Sequence, residues 1–154
     1  MVVRQKNAEL AKLAYGPNYD QVMEAPVTIA LFTDTDLQKR ARKIARVGGV
    51  KNFTDEQLQY FMQSLPAEFA RYDAQQTSDY LALNAGLVAM NLVLALTDQG
   101  IGTNIILGFD KSKINEVLDI EERFRPEVLI TVGYAAEKVE PSYRLPVDEI
   151  IEKR

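Results

Sequence analysis

Residues 77–109 read TSDYLALNAGLVAMNLVLALTDQGIGTNIILGF. The stretch predicts one long, nearly all-apolar helix from about Thr77 to Asp98. Gly100 follows as the residue that closes it, and Ile101–Leu107 is a short buried strand. No other part of the chain is patterned as strongly, and the remaining segments read as partners that cover it. An uncharged run of 18 residues, Tyr80–Thr97, approaches the length of a membrane span. Asn84 and Asn91 interrupt it on neighbouring turns and Lys/Arg anchors are missing from its immediate flanks, so the reading is a buried central helix and no membrane.

Working outward, Pro26–Thr33 and Pro126–Tyr134 are β-rich apolar runs and predict strands, the first buried on both faces. Met1–Arg4 looks like the end of another strand. Asn7–Leu13 carries apolar residues at helical spacing and is stopped by Gly16-Pro17-Asn18. Thr35–Gln38 and Thr54–Gln57 both fit a capping box. The first opens a helix to about Val47, and the second opens one broken or kinked at Pro66. Asp110 is placed to cap a short helix containing Ile114, Val117 and Leu118. Val147, Ile150 and Ile151 give the last segment its only core-like period. Strands separated by helices, with helices dominant, make this an α+β or α/β layer protein.

The chain has 154 residues, 47% of them hydrophobic and 26% charged, which suits a single globular domain. Its net charge of −4 does not advertise nucleic-acid binding. Lys39, Arg40, Arg42, Lys43 and Arg46 wrap around a helix instead of lining one side, the pattern of a solvated surface. Cysteine and histidine are absent. That excludes disulfides, thiolate and imidazole catalysis, the usual zinc sites and a Ser-His-Asp triad. No residue stands out as catalytic or metal-binding, so an enzyme built on this chain would leave the chemistry to a bound cofactor. The N-terminus has no secretory h-region, and the cytoplasm is the expected location.

Gly100-Ile101-Gly102 is not a dinucleotide fingerprint, because these glycines leave a helix and enter a strand, the reverse of the phosphate-binding order. Ile105–Asp110, IILGFD, has two readings. A strand ending in glycine lets a flat ligand approach the backbone, or it is a plain strand end before an Asp-capped helix. Arg144, between Pro141 and Pro146, is either a phosphate contact or a tail residue.

Taken in order, Ala89–Ala95, Gln99–Thr103, Ile105–Asp110, Val132–Ala135 and Arg144–Pro146 resemble the FMN-dependent nitroreductase family. The resemblance implies an α+β sandwich around a mostly antiparallel sheet, an intimate homodimer with the long helix at its centre, and FMN in the interface. It places the backbone of Ile106, Leu107 and Gly108 along the flavin ring and Arg144 at the phosphate. It also implies NAD(P)H as donor and a nitroaromatic or quinone as small-molecule acceptor. The family's N-terminal phosphate-binding helix and its Pro-Ser…Asn-x-Gln loop are not matched, and Ser142 stands where a family lysine is expected. Residues 1–154 therefore read as one shortened domain that holds FMN weakly. The alternative is a non-catalytic dimeric remnant, or a subunit that relies on another polypeptide.

Overall fold

The computed structural model describes residues 2–3, 7–48, 53–136 and 143–152. Four strands form one antiparallel sheet in the order β1-β2-β4-β3: β1 (Val2–Val3), β2 (Val27–Asp34), β3 (Gly102–Ile106) and β4 (Phe124–Gly133). β4 is the axis. Its run Val128-Leu-Ile130 is buried on both faces because helices lie on both sides. β2 is less covered than its sequence predicts: Thr28 and Ala30 are buried and the other residues only partly.

The β2–β4 register runs from Val27↔Val132 to Leu31↔Val128 and then jumps to Phe32↔Pro126. Glu127 is left as the extra residue of a bulge. Pro126 has no N–H to offer the ladder, and a bulge is where a strand tolerates that loss.

On one face of the sheet, Ala30, Ile106 and Leu129 pack against α1 (Asn7–Ala11), α2 (Asn18–Glu24) and α6 (Ile114–Leu118) through Leu10, Val22, Ile114 and Leu118. α2 was not foreseen. α1 ends at Ala11, short of the predicted Leu13 and before Gly16-Pro17-Asn18 is reached, and Pro17, with a φ of −65°, is preorganised for the first turn of the next helix.

The other face carries α5 (Ala74–Asp98), which begins one turn earlier than predicted. An Asp73/Gln76 capping box starts it. At its end Gly100, with φ +72°, donates to Thr97 O and Ile101 donates to Leu96 O, the paired bonds of a Schellman motif. α5 is not buried, contrary to its sequence reading. Leu81, Ala85 and Ala89 are buried, Ala89 against Val128 and Ile130, whereas Leu83, Leu87, Val88, Met90 and Leu94 are each about half exposed or more. Apolar periodicity all round says that a helix wants cover, not that its own chain provides it. By length and composition alone α5 could cross a membrane.

α3 (Leu37–Gly48) and α4 (Asp55–Phe69) pack on each other. The Thr54/Gln57 box is present. The predicted Thr35 box is not. Thr35 Oγ1 donates to Arg123 O at 2.7 Å, and the Asp36 carboxylate accepts from Lys39 N at 3.0 Å in its place. Pro66 does not break α4. It sits in the last turn, where only one more carbonyl is left unpaired before the helix ends at Phe69. α7 (Val147–Ile150) is a short exposed helix.

Candidate functional site

β3 carries the chain from α5 into a tight corner at residues 107–110. Phe109, almost fully buried, plugs the core on the α1 side. Phe109 N donates to Leu107 O at 3.1 Å, Asp110 N to Leu13 O at 2.8 Å, and Tyr15 N to Gly108 O at 2.9 Å. Asn18 Nδ2 donates to the same Gly108 carbonyl at 3.2 Å. The Gly108 N–H takes no part in this set. The glycine is needed here for a reason other than the one its sequence suggests, since a Cβ would lie 2.8 Å from Asn18 Nδ2. Its missing side chain makes room for Asn18, and any ligand meets the backbone beside that amide.

Ile106, Leu107 and Gly108 differ sharply in what they present. The Ile106 side chain is buried in the core, Leu107 is 68% exposed, and Gly108 offers only backbone. Leu107 borders a cavity of about 350 Å³ between β3, β4 and α5, lined also by Ala82, Gly86, Met90, Ile105, Lys111 and Glu127. That volume lies at the lower end of small-molecule sites. Arg144 is exposed; its Nη1 donates to Tyr143 O at 2.8 Å, and no hydrogen bond or ion pair joins it to residues 106–108.

The bulge at Glu127 aims a nearly buried carboxylate toward this cavity. Glu127 Oε1 accepts from Thr33 Oγ1 at 2.5 Å and from Arg125 Nε at 2.7 Å. Arg125 is held in turn by Ser78, through Oγ at 2.8 Å and the carbonyl at 3.1 Å. The carboxylate is therefore paired and hydrogen-bonded where it is buried. On the same corner, Asp110 does not cap α6, which opens at Lys113 without a side-chain cap. Asp110 Oδ1 accepts from Ser112 Oγ at 2.6 Å and Ser112 N at 3.0 Å. Those bonds, more than the nearby Lys113, hold its carboxyl below the usual value. Among the described residues no group of three or more acidic side chains is arranged for a metal.

Asn18, Lys111 and Glu127 are the site residues that sequence reasoning missed. Asn18 lies 90 positions from Gly108. Only the Pro126-Glu127 pair, a proline inside a strand pattern, signalled a bulge. The corner fits the ring of a flavin in chemical kind: an apolar wall at Leu107, the Gly108 N–H as a donor, and the Asn18 Oδ1 as an acceptor. For the phosphate, the cations near the corner are Lys111, Lys113 and Arg125, of which Lys113 and Arg125 are paired with Asp110 and Glu127.

A profile of the nitroreductase family matches residues 1–134. A Streptococcus pyogenes relative that carries the provisional name NAD(P)H nitroreductase is 61% identical over 154 residues, all of this chain and 76% of its own. The crystal structure of a nitroreductase family protein from Streptococcus pneumoniae superposes with a TM-score of 0.94 at 84% identity, covering 100% of this chain and 77% of that one. A provisionally identified nitroreductase from Exiguobacterium sibiricum, crystallised in complex with FMN, superposes with a TM-score of 0.87 at 28% identity, covering 100% and 75%.

Proposed function

The chain belongs to the nitroreductase family, and from that premise we propose that it is an FMN-dependent NAD(P)H oxidoreductase, working as a homodimer on a small aromatic acceptor such as a nitro compound or a quinone. The observation that carries this reading is the corner at Leu107-Gly108, where Leu107 borders an apolar cavity and the next residue, Gly108, offers its backbone with Asn18 against it. Bound FMN would supply two-electron chemistry, taking a hydride from the nicotinamide and passing it to the acceptor. The protein would do the rest. Leu107 would cover the ring, Gly108 N–H would donate to a ring nitrogen, and Asn18 Oδ1 would accept from a ring N–H. Ile106 would contribute backbone only, since its side chain is committed to the core. Arg144 would hold the phosphate.

The homodimer rests on α5. Leu83, Leu87 and Leu94 form an apolar ridge along its outer side, beside the cavity wall at Gly86 and Met90. A second copy packed on that ridge would remove it from water and close the cavity's open side without filling it. The second reading is a non-catalytic dimeric remnant, or a subunit of a nitroreductase-like assembly, that no longer binds FMN well.

FMN titration of the purified protein, followed by flavin fluorescence quenching, separates the two. Stoichiometric quenching, with NADH or NADPH oxidised in the presence of a nitroaromatic or a quinone, is expected. No quenching at tens of micromolar FMN would defeat the oxidoreductase and leave the second reading.

A further inference from the structure

Resting on the reading above, we propose that the acceptor is a flat aromatic acid, its ring lying against α5 and its carboxylate held by Lys111. The cavity beside Leu107 has a floor of small residues. Ala82 and Gly86 stand one turn apart on α5, and the space a Cβ on Gly86 would take is open. Met90 and Leu107 rise at its sides. A floor of this kind suits a slab-shaped apolar body, whose face it contacts over a broad area.

The charge at the mouth is set by three side chains. Glu127 and Arg125 cancel each other, and both are fixed by their bonds to Thr33 and Ser78. Lys113, two residues further on, pairs with Asp110 at 3.7 Å. Lys111 has no ion pair among the described residues; its Nζ lies 5.8 Å from the Phe109 ring centroid. Lys111 borders the cavity and also the two depressions that continue from it, the nearer one walled by Ser78, Ser112 and Arg125. The groove therefore runs from an apolar chamber to a mouth marked by Lys111, which has no ion pair among the described residues.

What lies beyond the mouth limits the length of the anion. The further depression is lined by Glu116, Asp119 and Glu122. A negative charge carried on a long arm would meet those three carboxylates. A carboxylate attached directly to the ring stops at Lys111.

The test compares 4-nitrobenzoate with its neutral isostere 4-nitrobenzamide, binding to the full chain, by NMR shifts of the methionine methyls and of the Lys111 and Leu107 amides. Both probes are expected to move Met90 and Leu107. The acid should bind about fivefold more tightly at low salt, and the preference should fade near 0.5 M salt. Lys111→Gln, at an exposed position, should abolish the preference and leave nitrobenzamide binding within about twofold. A preference that survives Lys111→Gln, or no saturable shift at Met90 with either probe up to about 10 mM, would overturn the inference. FMN affinity measured on the same samples keeps the two readings separate. A chain that binds FMN without preferring the acid defeats this inference alone. One that prefers the acid but binds no FMN defeats the flavin reading alone.

Discussion

The two faces of the sheet are built from the same kind of residue and finished to different degrees. Toward α1, α2 and α6, ten buried residues close one continuous core, and its largest side chains are shut off from water. Toward α5, the buried cluster is just Ala89, Val128 and Ile130, with a rim of half-covered aliphatics, while Leu81 and Ala85 are buried outside it. α5 holds that second face with small residues on the inside and leaves its large ones outside. The first face holds the larger of the two buried clusters. The second is the face on which the proposed dimer would form, and the candidate cavity lies on it.

The difference can be broken most forcefully at Leu129, which is 0% exposed at the centre of the closed face. Leu129→Ala should lower unfolding stability by about 2–5 kcal/mol, through lost transfer energy and the cavity left behind. Urea titration would read this directly. On the other face, the expected casualty is association and not folding. Leu87→Glu puts a charge on the α5 ridge and should weaken self-association by about 2–4 kcal/mol. Its effect on an isolated monomer should stay within about 0.5 kcal/mol. Sedimentation velocity would show the variant as a monomer and the parent as a dimer. If both sediment alike, the exposed ridge has another partner and the proposed assembly fails.

How much of this was legible in the sequence follows the range of the interactions involved. The C-terminal end of α5 was readable because Gly100 and the preceding helical pattern are neighbours, and the structure closes it with bonds from Gly100 and Ile101. The box at Thr54–Gln57 and the apolar run of β4 were readable for the same reason. Local competition defeated two other expectations. Thr35 spends its hydroxyl on Arg123 and Asp110 spends its carboxylate on Ser112, so neither serves as a cap. Pairings across the chain were invisible. The reason for Gly108 is Asn18, and the Glu127 carboxylate is held by Thr33 and Arg125. The exposure of α5 was illegible in principle, since a helix apolar on all sides reads the same whether its cover is its own chain or another molecule.

A smaller effect sharpens the comparison by testing how α5 is anchored. Gly100 sits at φ +72°, where an L side chain is strained. Gly100→Ala should cost about 1–2 kcal/mol. Because the bonds to Leu96 and Thr97 hold the end of the helix that carries Leu94, thermal unfolding and self-association should both weaken. A variant that loses stability while keeping full association would mean that the ridge does not depend on this anchor.

The smallest effect expected is a pH dependence at the corner between the two faces. Asp110 is held below its ordinary value by the Ser112 hydroxyl and N–H, with Lys113 adding attraction. A depressed carboxyl stabilises the fold above the value it has when unfolded, near pH 3.9, and loses that contribution as pH falls through its lower folded value. Asp110→Asn keeps the shape and removes the titration. The parent should therefore be more stable than the variant at pH 6, and the gap should close as pH falls below about 4. Chemical denaturation midpoints of both proteins across that range read the convergence. Midpoints that stay parallel down to pH 3 would mean that the Ser112 bonds hold the neutral carboxyl as well as the charged one. The corner at Gly108 would then keep its shape in acid, and any loss of ligand binding there would have to come from the α5 face.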